Sequence, residues 1–212
     1  MKPFIDIHNH HSPENVIGLR SYRLGVEDCK DASGPYSVGI HPWDVCKVEC
    51  VPQLLADLGS MTCAAIGEIG LDRVCDADFT MQMEVFEQQV IIAHKRSLPI
   101  IIHCVKAQQS VANILANHPT PTVIFHGFIG SLQQAEQLWK NGYYLSFGFG
   151  ALRSSKTMEA LRRCPAELLF LESDTTHNEP IGTLYEQVAQ LRGVGTEELN
   201  ANIHNNYNRI FK

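Results

Sequence analysis

The sequence predicts an α/β fold, a TIM-type (β/α)8 barrel, and three observations carry that prediction. Eight short apolar runs read as strands. Most are followed by an amphipathic helical stretch. At the ends of several runs stands a His, Asp or Glu, and in such barrels the C-terminal strand ends form the active face.

The first run is residues 4–10, Phe-Ile-Asp-Ile-His-Asn-His. Alternate side chains of a strand point the same way, so His8 and His10 can aim at one point. Residues 16–22 read as the second strand. The gap before it is too short for a crossover helix, which needs ten or more residues. Residues 36–40 form the third, ending at His41-Pro42-Trp43, and a short helix is expected over 51–60 with Pro52 in its first turn. The early crossover helices are thus expected to be trimmed or missing.

Residues 63–66 read as the fourth strand, followed by a glycine-bounded loop, Gly67-Glu68-Ile69-Gly70-Leu71-Asp72. Asp78 is expected to cap a helix reaching Arg96. Its apolar face is read as Met83, Phe86, Val90 and Ile91, with Gln82, Glu87 and Gln88 on other faces. Residues 100–103, Ile-Ile-Ile-His, have the continuous apolar character of a buried parallel strand. A helix over 107–117 leads to strand six, residues 122–126, which ends in His126. Ser131 is the expected N-cap of the next helix, which ends near Asn141-Gly142. Strand seven is 143–147, followed by a loop over 148–150 and a helix over 155–163. Strand eight is 168–171, followed by Glu172-Ser173-Asp174. Helices over 181–192 and 196–211 complete the pattern. No linker or low-complexity tract interrupts it, so one domain over residues 1–212 is expected.

Composition narrows the function classes. Hydrophobic residues make up 44% and charged residues 19% of the 212, an ordinary globular balance. A net charge of −6 argues against a general nucleic-acid coat, although a local basic rim with metal ions can still hold a phosphate. No apolar run is long enough to span a membrane, no secretory leader is read, and no obligate protein partner is evident. The seven cysteines are odd in number and contain no CxxC pair, so reduced thiols in a cytoplasmic protein are expected, several of them buried.

Each strand-end residue has an ordinary explanation by itself. Six at one end of one barrel do not: His8, His10, Glu68, His103, His126 and Asp174 read jointly as a metal site. Imidazole mixed with carboxylate suits Zn²⁺, Mn²⁺ or Fe²⁺, and six ligands exceed the four of one tetrahedral ion. Two divalent ions follow, with Glu68 as the natural bridge, a layout that stabilises both attacking and leaving oxygens of a phosphoryl transfer.

Several motifs together resemble those of the TatD family of metal-dependent hydrolases. They are Asp6-x-His8-x-His10, Gly39-Ile-His41-Pro42, Gly67-Glu68-Ile-Gly70-Leu-Asp72, Pro99-Ile-Ile-Ile-His103, His126-Gly-Phe-Ile-Gly130-Ser131, Glu172-Ser-Asp174 and Asn206-x-x-Arg209-Ile-Phe211. The chain looks like a short variant, shorter mainly between His10 and Gly39. The resemblance implies an amidohydrolase-like TIM barrel, two divalent ions (Zn, Mn or Mg) and deoxyribonuclease activity, often 3′-exonucleolytic. By position it implies His8, His10, Glu68, His103, His126 and Asp174 as metal ligands. Asp174 and Glu68 would carry the catalysis, Asp174 as the carboxylate that orients or deprotonates the attacking water. Where the family often has Arg two residues after the strand-five His, this chain has Val105, then Lys106. Lysine is a point charge without the bidentate grip of Arg. A second substrate class therefore stays open: a small phosphoester, amide or aminoacyl ester. His41, Lys106 and Arg153 are the candidate substrate contacts, and Glu172 is a candidate partner for a ligand His.

Overall fold

The computed structural model describes residues 2–11, 15–30, 32, 34–119 and 122–211. In chain order the elements are β1 (Phe4–Asn9), β2 (Val16–Arg23), β3 (Tyr36–Gly39), α1 (Val51–Leu58), β4 (Ala65–Asp72), α2 (Phe79–Arg96), β5 (Ile100–Val105), α3 (Gln108–Asn117), β6 (Val123–Phe125), α4 (Leu132–Trp139), β7 (Tyr144–Phe147), α5 (Ser155–Arg163), β8 (Leu169–Leu171), α6 (Ile181–Arg192) and α7 (Thr196–Ile210). Short 3-10 turns cover Phe149–Arg153 and Ala166–Leu168. The first of these replaces the expected loop after β7. Among the described residues no helix joins β1 to β2, as the short gap required, and none joins β2 to β3. None of the helices is long and apolar enough to cross a membrane.

Chain contacts divide the molecule into two compact units, Met1–Arg20 with Ile124–Lys212, and Ser21–Val123. In the first unit β6 pairs in parallel with β7 and β7 with β8. β1 pairs in parallel with β2 from Phe4 opposite Val16 to Asn9 opposite Arg20. A parallel bridge between Asn9 and Asp174 joins the end of β8 to the end of β1. Helices α6 and α7 hold the start of β1: Tyr185 Oη donates to the Ile5 carbonyl at 2.8 Å, and Asn200 Nδ2 to that of Lys2 at 3.0 Å. His204 belongs to the same set, with Nε2 2.7 Å from the Pro3 carbonyl; it is buried, not a surface residue as its place in the last helix suggests. Ser131 caps α4 in a full capping box with Gln134, and Ser154 caps α5.

All seven cysteines are free, but Cys164 alone is fully buried, so the expectation of several buried thiols is corrected. Burial pushes the Cys164 thiol from 9.0 up to about 12. The unfolded chain loses this proton near pH 9, whereas the folded protein holds it until about pH 12. Stability from this group is therefore complete below pH 9 and drains away as pH rises toward 12, by up to about 1.4 kcal/mol per pH unit. Urea titrations from pH 8 to 11 are expected to show this slope in the wild type and a flatter one in Cys164→Ala. Equal slopes would refute the assignment.

In the second unit β3, β4 and β5 run parallel, Ser37 opposite Ala65 and Ile66 opposite Ile100. β4 continues through Asp72, and all eight of its residues are buried. The glycine-bounded loop read from the sequence is thus strand, held by β5 pairing that runs to Asp72 opposite Val105. Helix α2 begins after Asp78, whose side chain accepts from the Met81 N–H. Its buried face is Gln82, Val85, Phe86, Gln89, Val90 and Ala93. Gln82, expected on another face, is buried for a polar reason. Its Oε1 accepts from Asp72 N at 2.8 Å and its Nε2 donates to Asp72 O at 3.1 Å. Gln89 does the same for Ile40, at 2.7 and 3.1 Å. Each glutamine closes a strand end whose backbone groups would otherwise be buried without partners.

Candidate metal centre

The first unit gathers His8, His10 and Asp174, with ligand atoms all within 4.8 Å of one another. Alternation along β1 buries Ile5 and Ile7 on one side and sends Asp6, His8 and then His10 to the other. The pairing of β1 slips between Asp6 and Asn9, three residues facing the two steps from Gly18 to Arg20. His8 sits on this bulge, a device that re-aims side chains beside functional sites.

Asp174 arrives through the backbone. Its N–H donates to the His8 carbonyl at 3.0 Å, and its own carbonyl accepts from His10 N at 3.3 Å. It adopts φ +52°, in the left-handed region that Asp and Asn tolerate best among non-glycine residues. Asp6 fixes the preceding residue, accepting from Ser173 N at 2.9 Å and from Ser173 Oγ at 2.6 Å. Burial nevertheless pushes the Asp6 carboxyl up to about 7.

Asp174 Oδ1 lies 3.7 Å from His8 Nε2 and 3.6 Å from His10 Nε2. These separations exceed hydrogen-bond range. They match the roughly 3.4 Å between two atoms that each sit about 2.1 Å from a shared tetrahedral ion. The donor set therefore fits a divalent cation. His126, just beyond β6, places its ring 4.2 Å from that of His8. Buried Glu172 Oε1 accepts from Gly127 N at 2.7 Å and faces His126 Nδ1 at 3.3 Å. Burial by itself would raise the Glu172 carboxyl, but the nearby His126 and His8 imidazoles outweigh it and the net shift is downward. A proton on Nδ1 shared with Glu172 leaves His126 Nε2 as the donor atom for a metal.

The second unit gathers His41, Glu68 and His103. Glu68 lies inside β4, at a second bulge: Ile66 to Ile69 spans three residues against the two steps from Ile100 to Ile102. Its Oε1 is 2.7 Å from His103 Nδ1 and 3.1 Å from His41 Nε2. Trp43 N donates to His41 Nδ1 at 3.1 Å, which leaves the proton of a neutral His41 on Nε2, facing Glu68. Burial holds His41 below its usual pKa. His103 Nε2 meets Asp72 Oδ2 at 3.2 Å, and that same oxygen accepts from the Trp43 indole N–H at 2.7 Å. Burial would raise the Asp72 carboxyl, yet the bonds from Trp43, the Val74 N–H and His103 prevail and hold it below the ordinary value. Here the carboxylate is hydrogen-bonded directly between two imidazoles, and the donor types again suit a divalent ion.

Gly70 makes the β4–β5 approach possible. It has φ +146°, and a Cβ there would sit 2.0 Å from the His103 carbonyl oxygen. Of the candidate substrate contacts, His41 is buried in the Glu68 group, whereas Lys106 follows β5 and Arg153 ends the 3-10 turn after β7, both exposed. The expected partnership of Glu172 with a candidate ligand His is present, with His126. Asp72 and Trp43 as partners of His103 and His41 were missed; the Trp following His41-Pro42 was the available signal.

Imidazole and carboxylate groups gathered at the ends of parallel strands offer donor sets that suit divalent ions. The profile of the family described as TatD related DNase matches residues 25–212, and the chain belongs to that family. The uncharacterized metal-dependent hydrolase YabD of Bacillus subtilis is 32% identical over 197 residues, 83% of this chain and 76% of that protein. Deoxyribonuclease TATDN3 of Homo sapiens is 27% identical over 64% of this chain and 55% of its own length. The crystal structure of the TatD homologue YjjV from Escherichia coli covers 99% of this chain and 98% of that one, with a TM-score of 0.85 at 24% identity. That likeness establishes the eight-stranded TIM-barrel fold read from the sequence.

Proposed function

We propose that the chain is a deoxyribonuclease that hydrolyses phosphodiester bonds at DNA ends with two divalent ions, acting in the cytoplasm. The observation that carries the reading is the His8–His10–Asp174 group, with ligand separations of 3.6 and 3.7 Å. Membership of the TatD related DNase family and the deoxyribonuclease name of the human relative support DNA as substrate. The seven free thiols support a reducing compartment.

His8, His10 and Asp174 would hold one ion, with His126 supplying a further nitrogen. Glu68 and His103 would hold another. When bound, the ions supply positive charge that stabilises phosphoryl oxygens and lowers the pKa of water. Asp174, partly exposed and anchored by its backbone, orients the attacking water and accepts its proton. Glu172 and Asp72 fix the rings of His126 and His103. Lys106 and Arg153 are proposed as phosphate contacts and His41 as a substrate contact.

The test uses 3′-end-labelled single-stranded DNA with protein loaded in turn with Mg²⁺, Mn²⁺ and Zn²⁺. Release of labelled mononucleotides, abolished by a chelator, is expected. No release with any of the three ions would defeat the nuclease reading, and turnover of a chromogenic ester or phosphoester alone would move the substrate to a small molecule.

A further inference from the structure

Trp43 is 43% exposed, one of few large apolar side chains of the described residues left open to solvent. Its orientation is nonetheless fixed. The indole N–H bonds to Asp72 Oδ2 at 2.7 Å, and its backbone N–H bonds to His41. The Arg23 guanidinium, locked to Asp44 by two bonds of 2.6 and 2.7 Å, lies 6.0 Å from the ring centre. The ring meets His41 and His103 edge-on, at 4.7 and 5.7 Å between centroids. A rigid, solvent-facing aromatic thus stands directly beside the Glu68 group.

Two cations stand at the ends of the strands that carry Asp72 and His103. Arg73 follows Asp72, and its N–H donates to the Val105 carbonyl at 3.1 Å, which places it at the strand end that leads into Lys106. Its guanidinium is held over the Phe79 ring at 3.8 Å and bonds Ser110 Oγ at 3.1 Å, while the residue stays exposed. Lys106 is exposed as well. An aromatic platform flanked by exposed cations is how proteins hold single-stranded nucleic acid: bases stack and phosphates meet positive charge.

We infer that Trp43 is a stacking platform for an unpaired nucleobase, with Arg73 and Lys106 gripping the adjoining phosphates. The inference rests on the nuclease reading for its substrate and adds the part of that substrate recognised. A base that stacks must be unpaired, so single strands or frayed ends are preferred to intact duplex.

The test measures binding of two nuclease-resistant, phosphorothioate-linked strands of equal length by the full-length, metal-loaded protein. One is oligodeoxyadenylate and the other is its abasic counterpart. Trp43→Leu is expected to weaken the adenine strand about tenfold and the abasic strand less than about twofold. Trp43→Phe, which keeps a ring but loses the bond to Asp72, is expected to stay within about threefold of wild type on the adenine strand. Arg73→Ala is expected to weaken both strands alike and lower the salt dependence by about one counterion.

Equal losses on both strands in Trp43→Leu would overturn the platform and leave Trp43 only a positioning residue for Asp72. So would a Phe variant as weak as the Leu variant, or a wild type that does not distinguish, or does not bind, the two strands. Cleavage of end-labelled DNA with no base discrimination would sink the platform and spare the nuclease reading. Trp43-dependent adenine binding without cleavage would do the reverse.

Discussion

Asp174→Asn is expected to lower kcat on end-labelled DNA by roughly a thousandfold, the range ascribed to loss of a positioned general base. Asn is the informative replacement because position 174 holds φ +52°, which Asn adopts as readily as Asp. The backbone bonds to His8 and His10 should persist, so the thermal midpoint should stay within a few degrees, roughly, of wild type. Ala would add backbone strain and confuse folding with chemistry. The amide keeps an oxygen near His8 and His10 but loses the negative charge and the capacity to take a proton. Steady-state kinetics beside calorimetry separate the two effects. A kcat within about tenfold of wild type would remove Asp174 from its proposed role.

Gly70→Ala is expected to destabilise the protein by about 3 kcal/mol, roughly 10 °C in thermal midpoint, by combining backbone strain with overpacking. The added methyl would lie 2.0 Å from the His103 carbonyl oxygen, and that oxygen belongs to the strand that carries His103. Relief requires β5 to move away from β4. His103 would move with it, and its 2.7 Å contact with Glu68 would lengthen. The variant should therefore lose activity at temperatures where it is still folded. Urea unfolding gives the stability term, and an unchanged midpoint would show that the strands adjust freely.

Much of this was legible because strand ends and metal ligands obey short, regular spacings. His8 and His10 are two apart on one pleat. His103, His126 and Asp174 each follow an apolar run that could be little but buried parallel strand. Glu68 was found as a ligand but misplaced in a loop, because Gly67 and Gly70 read as turn residues; β5 pairing overrides that local preference. Trp43, Asp72 and His103 stand 29 and 31 residues apart, and no periodicity links them. Gln82 and Gln89 were hidden for another reason. A polar residue on a helix is assigned to solvent unless a buried backbone needs it, and that need appears only once the strands are placed. The burial of His204 is hidden from a local reading in the same way, its partner Pro3 lying 201 residues away.

Gln82 and Gln89 are seven residues apart, almost two full turns, so they project along one line of α2 about 10.5 Å apart. Each grips the backbone of one residue, Asp72 for the first and Ile40 for the second. Helix α2 is therefore a ruler: its pitch sets the offset between the chain segments that deliver His41 and Asp72. One residue inserted between the two glutamines would rotate one of them by about 100° and detach it from its strand. The spacing of the two amides, seven steps along this helix, is thus constrained by the two strand ends they hold.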